Sequence, residues 1–213
     1  MIGYEPITND TDGILHHVMI YTCSGITQEE MNEHHETSKL NEDYFKCGDY
    51  TMAYFQKCFT AVMLWIAGSS GFEFPPNIGY PINGDHSRDH YALMEIHFDN
   101  FPQKAKITPT RAGVTLKYSK TQREINAGYL MTGATWMFYL PPKQEDFSLR
   151  GTCPGNCLKA AKLNDSKEIT IFAGMAHGHT HMTNLKLSKV SEDGEVTEVF
   201  TENNYARLYQ GIC

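Results

Sequence analysis

Apolar and polar residues alternate with a period of two in several short runs: His16 to Thr22, Tyr91 to Phe98, Val114 to Tyr118, Ile169 to Phe172 and Leu185 to Val190. Runs of this kind, rich in β-branched and aromatic residues and bounded by Gly, Pro and Asn, predict strands with one buried face. Only Asn41 to Ile66 holds much helix-tolerant sequence, and Gly48 and its aromatic density weaken even that prediction. The chain is therefore predicted to be all-β, with helix a minor component. Many short strands with turn residues at regular intervals suggest β-sandwiches, two of them packed side by side. The polar, proline-led stretch from Pro141 to Phe147 is a hinge candidate, dividing an N-terminal domain (1–140) from a C-terminal one (141–213). No internal repeat or low-complexity tract interrupts the pattern.

Composition narrows the partners. With 213 residues and 41% hydrophobic content, the chain is long enough for one sizeable core or two small ones. The formal net charge is −7 and the 18 Lys and Arg residues are scattered, which recommends neither nucleic acid nor an anionic membrane and leaves small molecules as the better partners. The longest uncharged run, Cys58 to Phe72, contains Gly and Ser and is shorter than the roughly 20 apolar residues of a bilayer span, so no membrane anchor is expected within the chain. Met1 leads directly into a polar stretch, and no secretion signal is read at this end.

The cysteines point towards the secretory pathway all the same. Cys23, Cys47, Cys58, Cys153, Cys157 and Cys213 make an even count with no CxxC-type zinc spacing, which favours disulfides and an oxidising compartment. Glycosylation sequons at Asn9-Asp10-Thr11 and Asn164-Asp165-Ser166 agree with that. The combination predicts a secreted or vesicle-lumen protein whose natural N-terminus lies upstream; a cytosolic protein with free thiols is the alternative.

Five histidines in three separated groups carry the candidate chemistry: His16-His17, His97, and His179-Thr180-His181. Imidazole suits copper, zinc, iron or nickel, whereas the hard oxygen-seeking ions want clustered carboxylates, which these segments lack. The i, i+2 spacing of His179 and His181 puts both rings on one face of a strand, while adjacent His16 and His17 face opposite sides unless the strand is distorted. The competing reading is of surface or hydrogen-bonded core histidines, and it is preferred for His34-His35, His86 and His90, which lie in polar, turn-rich stretches. Tyr91, Trp136 and Phe138 are read as core or cleft-wall aromatics. A zinc hydrolase would need a carboxylate base near three ligands, for which Glu95 is the candidate.

Taken jointly and in order, HHVMIYTC, YALMEIHFDN, GVTLKYSKTQREINAGYL, GTCPGNC, ITIFAGMAHGHTHMT and ENNYARLYQ resemble the copper type II, ascorbate-dependent monooxygenases. IHFDNF and REINAGYL resemble the branch of dopamine β-hydroxylase, tyramine β-hydroxylase and the monooxygenase-X proteins. The resemblance implies two jelly-roll-like β-sandwich domains facing each other across a cleft, each holding one copper. It matches His16, His17 and His97 to an electron-storing copper site. His179 and His181 match catalytic ligands of an oxygen-activating site that a downstream methionine completes. No methionine follows Met182, and Met182 itself, next to His181, would face away from the histidine pair on a strand. His177 stands where the hydroxylase branch has glutamine and is a possible surrogate ligand.

The implied reaction inserts one oxygen atom of O2 into a C–H bond of a phenylethylamine-like amine, with ascorbate as electron donor. The resemblance also implies a Cys23–Cys58 disulfide, a partner for Cys47 upstream of the chain and partners for Cys153 and Cys157 downstream. Cys213 has no counterpart, and local pairing of Cys153 with Cys157 is the alternative. On these grounds the chain reads as a truncated portion of such an enzyme. The competing reading is a catalytically silent, secreted copper-binding module that keeps only the three-histidine site.

Overall fold

The computed structural model describes residues 1–8, 14–30, 32, 57–58, 60–82, 91–100, 103, 106, 111–133, 138–160, 169–178, 181–206, 210 and 212. Strands dominate them: β1 (Gly3–Ile7), β2 (Leu15–Cys23), β3 (Thr60–Ile66), β4 (Phe72–Glu73), β5 (Ile78–Gly79), β6 (Tyr91–Phe98), β7 (Gly113–Lys117), β8 (Ile125–Asn126), β9 (Leu185–Val190) and β10 (Val196–Glu202), with little helix, including the short α1 (Gly155–Ala160). The all-β expectation holds.

Two three-stranded antiparallel sheets build the core. One has the order β3-β2-β6 and the other β4-β1-β7. The alternation in β2 explains the packing: Val18 and Ile20 point one way and are buried, and they meet Val62, Met63 and Trp65 of β3 and Ile96 of β6. Tyr4 of β1 joins the same cluster with Phe72 and Val114, so apolar faces of both sheets close on one core. The Tyr4 hydroxyl donates to the Leu64 carbonyl of β3 at 2.8 Å, tying the sheets together, and burial pushes its pKa up to about 12. Gly71 allows the chain to pass close to β1, since a Cβ there would lie 2.4 Å from the Tyr4 carbonyl oxygen.

A smaller cluster at the end of β2 forms around Cys23, Ile26 and Cys58, with Tyr21, Tyr91 and Leu93 against it. Cys23 and Cys58 are disulfide-bonded. Between them Thr27 opens a helical turn through a capping box: the Thr27 hydroxyl accepts from the Glu30 amide at 3.1 Å, and the Thr27 amide donates to the Glu30 carboxylate at 2.9 Å. Lys57 pairs with Glu30 at 2.6 Å.

The chain divides into two compact units, one of 1–128 with 173–213 and one of 129–172. The first holds the ten strands of the described residues, including the β9–β10 hairpin, whose register shifts between Glu198 and Phe200. The second holds α1 and, among its described residues, irregular chain with exposed apolar side chains such as Met131, Tyr139 and Leu140. The hinge candidate Pro141 to Phe147 lies there, exposed and without regular structure.

Two sequence expectations are corrected. Ile169 to Phe172 is not a strand; its side chains are exposed and no described strand lies alongside to supply ladder hydrogen bonds. Within the helix-tolerant stretch Asn41 to Ile66, the described end is β3, because TAVMLWI buries Val62, Met63, Trp65 and Ile66 against β2. Residues 41–56 lie outside the described residues, as do the sequons at Asn9 and Asn164.

Candidate metal centre

His17, Met19 and Tyr21 lie on the face of β2 opposite Val18 and Ile20, and by the same period Glu95 and His97 share a face of β6. The register places His17 directly across from His97 and Met19 across from Glu95. A regular β2 would send His16 to the other side. It does not, because Leu15 pairs with Phe98 while His17 pairs with His97, so His16 is the extra residue of a β-bulge. The bulge turns two consecutive histidines towards one point and resolves the conflict that spacing alone presents.

The three rings meet closely. Ring centroids are 5.1 Å apart for His16 and His17, 5.1 Å for His16 and His97, and 4.8 Å for His17 and His97. The Nδ1 atom of His16 lies 3.2 Å from that of His97 and 3.2 Å from that of His17. One ligand atom from each of the three falls within 4.8 Å of the others, a donor set able to hold one metal ion. Three neutral imidazoles fit copper, since they accept both Cu(II) and Cu(I). His16 and His17 are half-buried and His97 is exposed, so the site opens on one side.

Glu95 supports this group from the side. Its Oε1 lies 2.7 Å from His17 Nε2, and its Oε2 accepts from the Tyr21 hydroxyl at 3.3 Å, which also lies 3.1 Å from Met19 Sδ. The His17 hydrogen bond, above all, holds the Glu95 carboxyl below its usual range; partial burial works against this, and Tyr21 and the charges of His17 and His97 reinforce it. With both oxygens engaged, Glu95 is poorly placed as the base of a zinc hydrolase. Its supporting position was readable, since Glu95-x-His97 and His17-x-Met19-x-Tyr21 are i, i+2 series. Which strand lies beside which was not.

The other candidates are less assembled. His181 is exposed in a turn ahead of β9, not on a strand, so the alternation argument does not reach it or Met182; the nearby Gly174 and Gly178 suit irregular chain. His179 and Thr180 lie outside the described residues. His177 Nδ1 lies 2.8 Å from Oε1 of Gln210, a buried polar side chain at 3% exposure. Next to it the Tyr205 hydroxyl accepts from the Gly178 amide at 2.9 Å and donates to the Gly178 carbonyl at 2.5 Å. Gln210 and Tyr205 both lie in ENNYARLYQ, but nothing in the sequence assigns them these contacts.

Tyr91 packs against the disulfide cluster and donates to Gln28 at 2.7 Å, whereas Phe138 is exposed. His34, His35, His86, His90, Trp136, Cys47 and Cys213 lie outside the described residues. Cys153 and Cys157 are exposed free thiols, so the local pairing considered for them is not formed.

Comparison with known proteins bears on this geometry. Residues 1–105 match the family model described as copper type II ascorbate-dependent monooxygenase, N-terminal domain. Residues 125–213 match the corresponding C-terminal domain. The chain is 28% identical over 216 residues to human (Homo sapiens) DBH-like monooxygenase protein 1, covering 99% of this chain and 33% of that protein. It is 27% identical to dopamine beta-hydroxylase of Canis lupus familiaris, covering 100% of this chain and 32% of the relative. It is 22% identical to tyramine beta-hydroxylase of Caenorhabditis briggsae, covering 100% of this chain and 34% of the relative. The chain thus spans about a third of the length of these relatives.

Proposed function

This chain belongs to the copper type II ascorbate-dependent monooxygenases, and from that premise we propose that it forms the copper-holding portion of an enzyme that hydroxylates a phenylethylamine-like amine. His16, His17 and His97 hold the electron-storing copper, and His179 and His181 are catalytic ligands of the oxygen-activating one. The single observation that supports this most directly is the convergence of three Nδ1 atoms across the β2 bulge. When bound, the metal supplies the redox chemistry by which O2, two electrons from ascorbate and two protons convert a C–H bond to C–OH and water.

The protein's part is placement. The β2–β6 register fixes the ring positions, and the core behind β2 keeps the ligand strand rigid. The division into copper domains 1–140 and 141–213 belongs to the same proposal, as do jelly-roll packing of each domain and a secretory-lumen, glycosylated and disulfide-bonded state. Relatives named dopamine beta-hydroxylase and tyramine beta-hydroxylase support a substrate class near dopamine and tyramine, hence a part in amine metabolism of the catecholamine kind. No helix among the described residues is long and apolar enough to cross a membrane.

The competing reading, a silent copper-binding module, draws on the fact that among the described residues His16, His17 and His97 are the group brought together to hold a metal. Metal analysis after anaerobic Cu(I) loading separates the two, using the unaltered chain with His97→Ala and His179→Ala. Two coppers, one lost in each variant, together with ascorbate-dependent O2 consumption on tyramine, support the monooxygenase. A single copper lost only in His97→Ala supports the module. No copper overturns both.

A further inference from the structure

We propose that Glu95 is a positioning residue of the three-histidine centre: it locks His17 in the tautomer that offers Nδ1 to the metal, and Tyr21 braces it in that role. The proposal rests on the reading of His16, His17 and His97 as copper ligands. It goes beyond that reading by assigning work to residues that are not ligands.

A neutral imidazole carries one hydrogen, on either ring nitrogen, and only the bare nitrogen can bind a metal. Glu95 as a carboxylate is an acceptor only, so the 2.7 Å contact with His17 Nε2 requires the hydrogen there. Nδ1 is then left bare, and Nδ1 is the atom that lies 3.2 Å from Nδ1 of His16, which lies 3.2 Å from Nδ1 of His97. The metal-facing and carboxylate-facing sides of the His17 ring are therefore assigned by one contact.

Three features make that contact dependable. Glu95 and His97 are two apart on β6, so the strand holding one ligand also holds the brace for another. The side chains of His17 and Glu95 are 17% and 23% exposed, which limits competition from water for the bond. The second carboxylate oxygen is not idle, because the Tyr21 hydroxyl reaches it at 3.3 Å from the same outward face of β2.

The bond also has an electronic consequence. An anion accepting from the far N–H makes the imidazole a stronger donor, which favours Cu(II) over Cu(I) and lowers the reduction potential of the site. Glu95→Gln keeps an acceptor oxygen and loses the charge, whereas Glu95→Ala loses both. Tyr21→Phe keeps the aromatic ring and loses the hydroxyl that reaches Glu95 and Met19.

The first test needs no metal: isotope-edited nitrogen NMR of the full chain, at a pH where the imidazoles are neutral. His17 is expected as the Nε2–H tautomer in the unaltered chain and in Glu95→Gln, and as a mixture with the Nδ1–H form in Glu95→Ala. After copper loading, the potential of the three-histidine copper is expected to rise in Glu95→Gln and Glu95→Ala, and less in Tyr21→Phe. Cu(II) affinity is expected to fall roughly 10- to 100-fold in Glu95→Ala, the usual cost of removing an outer partner of a ligand. Far-UV circular dichroism and an intact Cys23–Cys58 bond verify that each variant is folded.

An Nδ1–H His17 in the unaltered chain overturns the proposal. Copper bound normally, with potential and tautomer unmoved in folded Glu95→Ala, overturns it alone. Failure of the unaltered chain to bind copper overturns the metal reading and this proposal together.

Discussion

Replacing Tyr4 by Phe tests the joint between the two core sheets. The Tyr4 ring is 2% exposed in the cluster shared by both sheets, and its hydroxyl donates to the Leu64 carbonyl at 2.8 Å. Deleting the hydroxyl removes one hydrogen bond and leaves that carbonyl short of a partner, a loss of about 1–3 kcal/mol at neutral pH.

A second, pH-dependent effect has the opposite sign. Burial raises the Tyr4 pKa from 10.0 to about 12, because the phenolate would be the buried charge. Between those values the unfolded chain has lost a proton that the folded chain keeps. Stability from this group is therefore level below pH 10 and falls as pH rises through 10 towards 12. At about 1.4 kcal/mol per pKa unit, the loss is about 1.4 kcal/mol at pH 11 and approaches about 2.7 kcal/mol above pH 12. Phe at position 4 has nothing to titrate and escapes this loss. Urea unfolding followed by intrinsic fluorescence at pH 8, 10 and 11 should show the variant less stable at pH 8. The gap should then close by about 1.4 kcal/mol at pH 11. A gap that stays constant from pH 8 to pH 11 would refute the burial argument.

Two further perturbations follow from the same core. Changing Cys23 and Cys58 together to Ser releases a loop with a sequence separation of 35, and the chain-entropy relation gives a destabilisation of about 3–4 kcal/mol, to be read as a fall in the urea midpoint at unchanged slope; a loss under about 1 kcal/mol would show that the unfolded chain gains little freedom. Gly71→Ala places a Cβ 2.4 Å from the Tyr4 carbonyl oxygen, a backbone atom that cannot rotate aside, and should cost about 1–3 kcal/mol. Gly113→Ala, where nothing lies within 4 Å of the added Cβ, is the control; equal thermal melts for the two variants would contradict the close approach.

Much of this protein is legible from local pattern alone. Alternation located β2, β6, β7 and β9 nearly residue for residue, because side chains on a strand with one buried face must repeat with period two. Imidazole chemistry singled out His16, His17 and His97, whose rings converge, and the order of the motifs picked out the family. Other strands carry no such mark. β1 contains Gly3 and Pro6, residues that argue against a strand, and exists because β7 pairs along its length; β10 is largely exposed and is held by β9.

The site shows the same division. Sequence names His16, His17 and His97, but period two sends His16 away from His17. Only the pairing of β2 with β6, with one residue in excess on β2, turns it back. Glu95 became a partner of His17 for the same reason: residues 78 apart in the chain meet only once two strands choose a register. Local chemistry determined which atoms can bind a metal, and the non-local hydrogen-bond ladder, set by burial of Val18, Ile20 and Ile96 in a shared core, decided that they meet.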